Sequence, residues 1–225
     1  MIITLDGPAG AGKSTVARLL AKELGFAYLD TGAMYRAAAW ALLQEYGEPL
    51  YPEDIGSRLS GLPLDFAIQN GSLIITYRTQ ELDEELRIPG IPEEASRVSQ
   101  VESVRAYLSK WQRRLASYGC FVAEGRDMGT VVFPDADIKF FVTADLQERS
   151  RRRYLELPAR DRQAGMERIR EDMRARDQRD RTREQAPLTQ APDAIVINTS
   201  HLSREDVLQL MVSWIEKQVC LPQKV

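Results

Sequence analysis

Histidine is nearly missing from this chain: His201 is the only one in 225 residues. Zinc sites built on histidine are therefore excluded, and a Ser-His-Asp hydrolase is disfavoured. Cysteine is almost as scarce. Cys120 and Cys220 are isolated thiols, with neither the density of a disulfide framework nor metal-ligand spacing. Uninterrupted apolar runs are missing too. Arg36 breaks the stretch from Ala33 to Leu43, so no transmembrane helix fits. A strand-like run begins at Met1, which leaves no room for a signal peptide. No internal repeat or low-complexity segment is found. These absences point to a soluble protein of a reducing compartment, a bacterial-type cytoplasm, with no membrane partner.

What is present supports a full core. Hydrophobic residues make up 44% of the chain, enough for one large α/β domain or a domain with a small insert. The net charge is −3 but unevenly spread. Between Arg149 and Arg183 there are 13 arginines against seven acids, which leaves the rest of the chain near −9. A nucleic-acid binder is more often basic overall, so no nucleic-acid partner is expected. An arginine cluster on an acidic body suits small polyanions.

The most informative stretch is Gly7-Pro8-Ala9-Gly10-Ala11-Gly12-Lys13-Ser14. It reads G-x-x-x-x-G-K-S, the phosphate-binding P-loop pattern. The apolar run Met1 to Asp6 before it suits a buried parallel strand. Val16, Leu19, Leu20 and Leu24 after it follow a helical period. Glycines let backbone N–H groups converge on an anion, and the helix N-terminus adds partial positive charge. Lys13 suits the terminal phosphates, and the Ser14 hydroxyl suits Mg²⁺.

Further along, Phe26 to Leu29 reads as a second strand, which delivers Asp30-Thr31-Gly32 to the start of a helix reaching Tyr46. Arg36 sits one turn into that helix, where a solvated face is an equally good reading. Residues 48–62 suggest a loop and a short helix. The alternation of Leu64, Phe66 and Ile68, then Asn70-Gly71, then Leu73, Ile75 and Tyr77 predicts a β-hairpin. This breaks the βαβ rhythm, so residues about 60–92 read as an insert. Val104, Leu108, Trp111 and Leu115 mark one face of a long helix ending near Gly119.

The apolar strand Cys120 to Ala123 then delivers Glu124-Gly125-Arg126-Asp127-Met128-Gly129-Thr130. This is either an active-site loop at the sheet's carboxyl edge or an ion-paired turn. A strand at Ile138–Val142 follows. A helix from Ala144 to Leu157 carries Arg149, Arg151, Arg152 and Arg153. The polar segment Pro158 to Gly165 is expected to move, and helix resumes over Glu167–Arg176. This arginine-rich pair is either a lid over phosphates or a solvated, salt-bridged hairpin. A last strand at Ala194–Ile197, a capping box at Ser203 and Asp206, and a closing amphipathic helix complete the chain.

Four blocks together resemble the bacterial cytidylate kinases, a family of nucleoside monophosphate kinases. They are Asp-Gly-Pro-Ala-Gly-Ala-Gly-Lys-Ser at 6–14, Asp-Thr-Gly-Ala-Met-Tyr-Arg at 30–36, Glu-Gly-Arg-Asp-Met-Gly-Thr-Val-Val-Phe-Pro at 124–134 and Arg-Asp-x-Arg-Asp-Arg-x-Arg at 176–183. The resemblance covers nearly the whole chain. It implies an α/β P-loop nucleoside monophosphate kinase fold with a five-stranded parallel sheet. The CORE would span about 1–47, 93–150 and 184–225, with an NMP-binding insert at about 48–92 and a helical LID at about 151–183. It implies transfer of the ATP γ-phosphoryl group to CMP or dCMP, with Mg²⁺.

The resemblance also distributes roles. Gly7, Pro8, Ala9, Gly10, Ala11, Gly12, Lys13, Ser14 and Thr15 would bind ATP, with Ser14 on Mg²⁺. Arg36 and Arg126 would hold the CMP phosphate. Thr31, Arg105, Asp127 and Arg183 would surround cytosine, and Tyr35 would belong to the same site. Ser96, Arg176 and Asp180 would meet the sugar. Arg149 and Arg153 would face ATP from the LID. Lys13, Arg126, Asp127, Arg149 and Arg153 are the expected catalytic set. Two positions depart from the usual pattern. Thr31 stands where relatives often carry Ser, and the hydroxyl survives. Glu124 stands where several carry Asp, so the charge survives but reaches further.

The chemistry is consistent with the composition. A phosphate acceptor is already an oxyanion, so phosphoryl transfer to it needs no histidine base. It needs cations to offset the repulsion of two polyanions. Cytosine offers an N4 donor that Asp127 can accept, while uracil would set an acceptor against an acceptor. Other acceptors of small P-loop kinases remain open at this level: adenylate, uridylate or a non-nucleotide. A P-loop binding module is a further alternative, but the chain has no Asn-Lys-x-Asp guanine-reading motif. A monomer is expected, because no large unexplained apolar helix remains.

Overall fold

A computed structural model of the protein describes residues 1–47, 52–156 and 165–218. Five parallel strands form its centre: β1 (Ile2–Asp6), β2 (Ala27–Asp30), β6 (Phe121–Glu124), β7 (Ile138–Thr143) and β8 (Ile195–Asn198). They lie in the order β2-β6-β1-β7-β8. The chain winds to one side of β1 first and to the other side afterwards. The carboxyl ends of the strands around β1 are therefore the crevice where such sheets bind ligands.

The expected five strands are present, but the sheet does not stop at five. β3 (Leu64–Gln69) and β4 (Ser72–Tyr77) form the hairpin, and β5 (Gln80–Glu81) pairs with β4. Asn70 and Gly71 both take positive φ at the turn, 50° and 74°, as a two-residue hairpin loop requires. β4 lies beside β2, and Tyr28 donates its N–H to the Gly71 carbonyl at 2.9 Å. The insert thus covers the edge of β2, whose backbone groups would otherwise be unpaired. Alternation alone cannot show which edge a hairpin joins.

The parity of each strand divides the core between the two faces. Phe121 and Ala123 pack with α2 (Thr31–Tyr46) and α5 (Glu102–Ala116), whereas Val122 packs with α1 (Lys13–Leu24). Glu124 follows Val122 by two residues and so faces the α1 side. On β1, Ile3 and Leu5 face α1, which turns Asp6 to the other side. α3 (Pro52–Ser60) and α4 (Ile91–Val98) complete the layer around α2 and α5. Trp111 packs at the edge of that layer, edge-to-face on Phe66.

α6 (Leu146–Glu156) and α7 (Gly165–Thr182) form the arginine-rich pair. The segment expected to move, 158–165, lies outside the described residues except for Gly165. α7 runs through the Arg-Asp block instead of ending at Arg176. Arg176 and Asp180 consequently share one helical face. The box at Ser203 caps α8 (Arg204–Gln218): Asp206 N–H donates to Ser203 Oγ at 3.1 Å and Ser203 N–H to Asp206 Oδ2 at 3.1 Å. Val207, Met211 and Ile215 are buried there, but Leu210 and Trp214 are exposed. No helix among the described residues is long and apolar enough to cross a membrane.

Candidate active site

The P-loop bends sharply out of β1. Gly7 has φ 146°, and a Cβ there would stand 1.9 Å from the Val142 carbonyl oxygen on β7. Only glycine lets β1 pass that close to its neighbour. Gly12, with φ 88°, turns the chain into α1. Lys13 Nζ reaches back to donate to the Pro8 carbonyl at 2.8 Å. Burial, then the Arg126 guanidinium, pull the Lys13 ammonium below its ordinary range, while Glu124 and Asp6 oppose them.

Next to the P-loop, the end of β6 is fixed from three directions. Asp6 accepts from the N–H groups of Met128 at 2.8 Å and Gly129 at 2.7 Å. This holds the Gly-Arg-Asp loop against β1, where a π-helical turn, Met128–Val132, begins. Burial pushes the Asp6 carboxyl up to about 6 despite those two bonds. Thr31 Oγ1 donates to the Glu124 carbonyl at 2.6 Å. Tyr28 donates its hydroxyl to Glu124 Oε1 at 2.7 Å, and Ser14 lies beside the same carboxylate. Burial, with Asp30 adding repulsion, holds the Glu124 carboxyl above its ordinary range against Lys13, Ser14 and Tyr28.

Beyond Glu124 the cations gather. Asp127 is buried between two guanidiniums: Arg105 donates to Oδ2, and Arg183 donates to Oδ1 at 3.2 Å. Arg105 lies 5.7 Å from the centre of the Tyr35 ring. Burial pushes the Tyr35 hydroxyl up to about 12. Arg126 Nε donates to Asp180 Oδ2 at 2.8 Å. Arg36 pairs with Asp30 at 3.2 Å. Burial, then Arg126, pull Arg176 down to about 10, and its Nε has no hydrogen-bond partner among the described residues. Ser96 Oγ is buried and equally unpartnered. An orphaned donor among several guanidiniums is what a phosphate or sugar ligand would satisfy.

Most of these groups border one cavity of about 880 Å³. It is lined by the P-loop from Ala9 to Thr15 and by Thr31, Tyr35, Arg36, Ser96, Arg105, Arg126, Asp127, Arg153, Arg176, Asp180 and Arg183. The elements that carry these groups converge at the carboxyl edge of one sheet.

The family model of the cytidylate kinases matches residues 3–217. The chain belongs to the cytidylate kinase family. A "Cytidylate kinase" of Geobacter sulfurreducens is 40% identical over 218 residues, covering 97% of this chain and 94% of that protein. A "Cytidylate kinase" of Oleidesulfovibrio alaskensis is 41% identical over 213 residues, covering 95% and 97% respectively. A solved structure of an uncharacterized protein from Eubacterium ventriosum has a TM-score of 0.51 at 13% identity, covering 96% of this chain and 98% of that one. That likeness is one of fold alone.

Three of the residues expected from the family resemblance do not line the cavity. Gly7 and Pro8 lie at the base of the loop, where they shape it. Arg149 is turned into the protein. It donates to the carbonyls of Ala144 at 2.8 Å and Ala9 at 3.1 Å, and pairs with Asp177 at 2.7 Å. It ties α6 to the P-loop and to α7, so the structure places it as a strut instead of a wall residue. Arg153 does border the cavity, with its guanidinium 3.5 Å from Glu156.

Other participants escaped the sequence reading. Arg152 lines the cavity and binds the Thr199 carbonyl at 2.6 Å and hydroxyl at 3.0 Å. Thr199 in turn donates to the Ala11 carbonyl at 3.1 Å. Its position just after β8 was the available signal. For Asp6 the signal was its place immediately before Gly7, and for Tyr28 the parity of β2.

The possible metal donors that share the cavity wall with Ser14 are oxygens: its own hydroxyl and the carboxylates of Glu124 and Asp30. No cluster of three or more His, Cys, Asp or Glu residues ready for a metal occurs among the described residues. A hard, oxygen-preferring ion that takes few protein ligands and relies on phosphates fits this set; Mg²⁺ is such an ion.

Proposed function

We propose that the protein transfers the γ-phosphoryl group of ATP to CMP or dCMP, giving ADP and CDP or dCDP. The observation that carries this reading is Asp127, held by Arg105 and Arg183 beside Tyr35 in the same cavity as the P-loop. A carboxylate fixed in this way accepts from an exocyclic amine, and the flanking guanidiniums donate to ring acceptors. Cytosine has both kinds of group on one edge.

Arg36 and Arg126 suit the acceptor phosphate, and Ser96, Arg176 and Asp180 suit its sugar. An α-phosphate oxygen of CMP forms the new bond to the γ-phosphorus. The bond from that phosphorus to the β,γ-bridging oxygen breaks, and ADP keeps the electron pair. No proton need be removed from the acceptor. Lys13, Arg126 and Arg153 offset the charge that gathers on the transferred group. Ser14, with Glu124 behind it, would hold Mg²⁺, which would further neutralise the ATP phosphates.

The α6–α7 pair acts as the LID, and the 48–92 insert as the NMP-binding part. Closure of the two over the ligands excludes water that would otherwise accept the phosphoryl group. The enzyme acts in the cytoplasm as a monomer, on nucleotides and not on nucleic acid. The test is ADP formation from Mg-ATP with CMP, dCMP, UMP, AMP, GMP and shikimate. Turnover led by CMP and dCMP supports the reading. Turnover led by another acceptor, or by none, refutes it.

A further inference from the structure

Tyr28 has no part in the reading above, yet its hydroxyl reaches the site. β2 and β6 run in parallel with Tyr28 opposite Val122 and Asp30 opposite Glu124. Tyr28 is thus offset by one side-chain repeat from Glu124 on the α1 face of the sheet. Its ring packs at the fringe of the apolar cluster beneath α1. A phenylalanine would fill that space equally well. The hydroxyl finds Glu124 Oε1 at 2.7 Å.

Glutamate has one more rotatable bond than aspartate, so its carboxylate must be held if it is to serve one position. Around Glu124 lie Lys13, which attracts it, and Asp30, which repels it. The hydroxyl of Tyr28 fixes it between these influences.

We propose that Tyr28 is a positioning residue for divalent-cation binding: its hydroxyl holds the Glu124 carboxylate beside the Ser14 hydroxyl and thereby sets the affinity of the P-loop for a metal ion carried by a bound nucleotide. The proposal rests on the kinase reading for its biological setting. Tyr28 does not touch the nucleotide or the reacting atoms. It acts through Glu124, and the pair forms a unit: the longer carboxylate needs the hydroxyl, and the hydroxyl needs the longer carboxylate.

The test is a double-mutant cycle of Tyr28→Phe and Glu124→Asp in the full chain. Mn²⁺ is titrated into the protein–ADP complex and followed by electron paramagnetic resonance, and CMP affinity is measured separately by calorimetry. Tyr28→Phe should weaken Mn²⁺ binding by about tenfold, the worth of one hydrogen bond to a charged group. CMP affinity should change by less than about twofold. In the Glu124→Asp background, where the shorter side chain loses the hydroxyl, Tyr28→Phe should cost less than about twofold. Unchanged Mn²⁺ binding in Tyr28→Phe, or an equal loss in both backgrounds, would overturn the proposal. Parallel losses of Mn²⁺ and CMP binding would also overturn it, by showing a general packing effect. Metal binding is read without turnover, so failure of the acceptor assay would refute the kinase reading and leave this result standing.

Discussion

Arg126 Nε donates to Asp180 Oδ2 across 2.8 Å, which joins the loop after β6 to helix α7. Burial opposes ionisation of Asp180, but Arg126, then Arg176, hold its carboxyl below the ordinary range. A carboxyl whose pKa is depressed by folding adds stability above its unfolded value, and that stability is lost as pH falls through the folded value. Asp180→Ala should therefore cost about 2 kcal/mol at pH 7, because the half-buried Arg126 guanidinium loses its partner and Arg176 loses a nearby opposite charge. The difference from wild type should shrink below about pH 4, where the carboxyl protonates in the unfolded chain. Urea unfolding at several pH values checks both points.

Asp6 should behave in the opposite sense. Its folded pKa is raised to about 6 from an ordinary value of 3.8. The neutral form is the better tolerated one in the fold, so stability from this group increases as pH falls from 6 towards 4. The size of the effect is about 3 kcal/mol over that window. Asp6→Asn should remove this slope, which the difference between the two pH–stability curves would show. At neutral pH the variant escapes the cost of a buried charge, which offsets the single acceptor oxygen that an amide offers to the two N–H groups of Met128 and Gly129.

Two glycines with positive φ should differ sharply in tolerance. Gly7→Ala places a methyl 1.9 Å from a backbone oxygen, whereas nothing lies within 4 Å of a Cβ at Gly25. Gly25→Ala should cost about 1 kcal/mol, the penalty of a left-handed backbone alone. Gly7→Ala should cost more than about 3 kcal/mol or prevent folding, because backbone must move. Chemical denaturation of the two variants measures the gap.

Arg149 tests the distinction between a strut and a group that faces ATP. Its removal strands Asp177, whose Oδ1 already lacks a partner among the described residues. Arg149→Ala should lower stability by about 3 kcal/mol. Arg149→Ala with Asp177→Ala should recover a measurable part of that loss. If instead the single variant unfolds like wild type while ATP-dependent turnover collapses, Arg149 acts on the nucleotide directly.

Much of this was legible beforehand for definite reasons. The P-loop and the strands ending at Asp30 and Glu124 carry strong local signals: glycine spacing, apolar runs and turn residues. The hairpin was legible because Asn70-Gly71 sits between alternating segments. Long-range facts were not legible. That β4 would cover the edge of β2 depends on tertiary pairing at Tyr28 and Ser72. That Arg149 would turn inward depends on carbonyls of Ala9 and Ala144 and on Asp177, far apart in sequence. Arginine spacing on α6 identified a cationic face but not which of its members would be used up internally.

The central claim is that Asp127, fixed by Arg105 and Arg183, selects cytosine. Its most direct test is the ratio of kcat/KM for CMP to that for UMP in wild type and in Asp127→Asn. The wild-type ratio should be at least about tenfold, as expected when one buried polar group meets the wrong partner. Asp127→Asn, which adds a donor, should bring the ratio down towards unity. An unchanged ratio in the variant would contradict the assignment of Asp127 as the residue that reads the base.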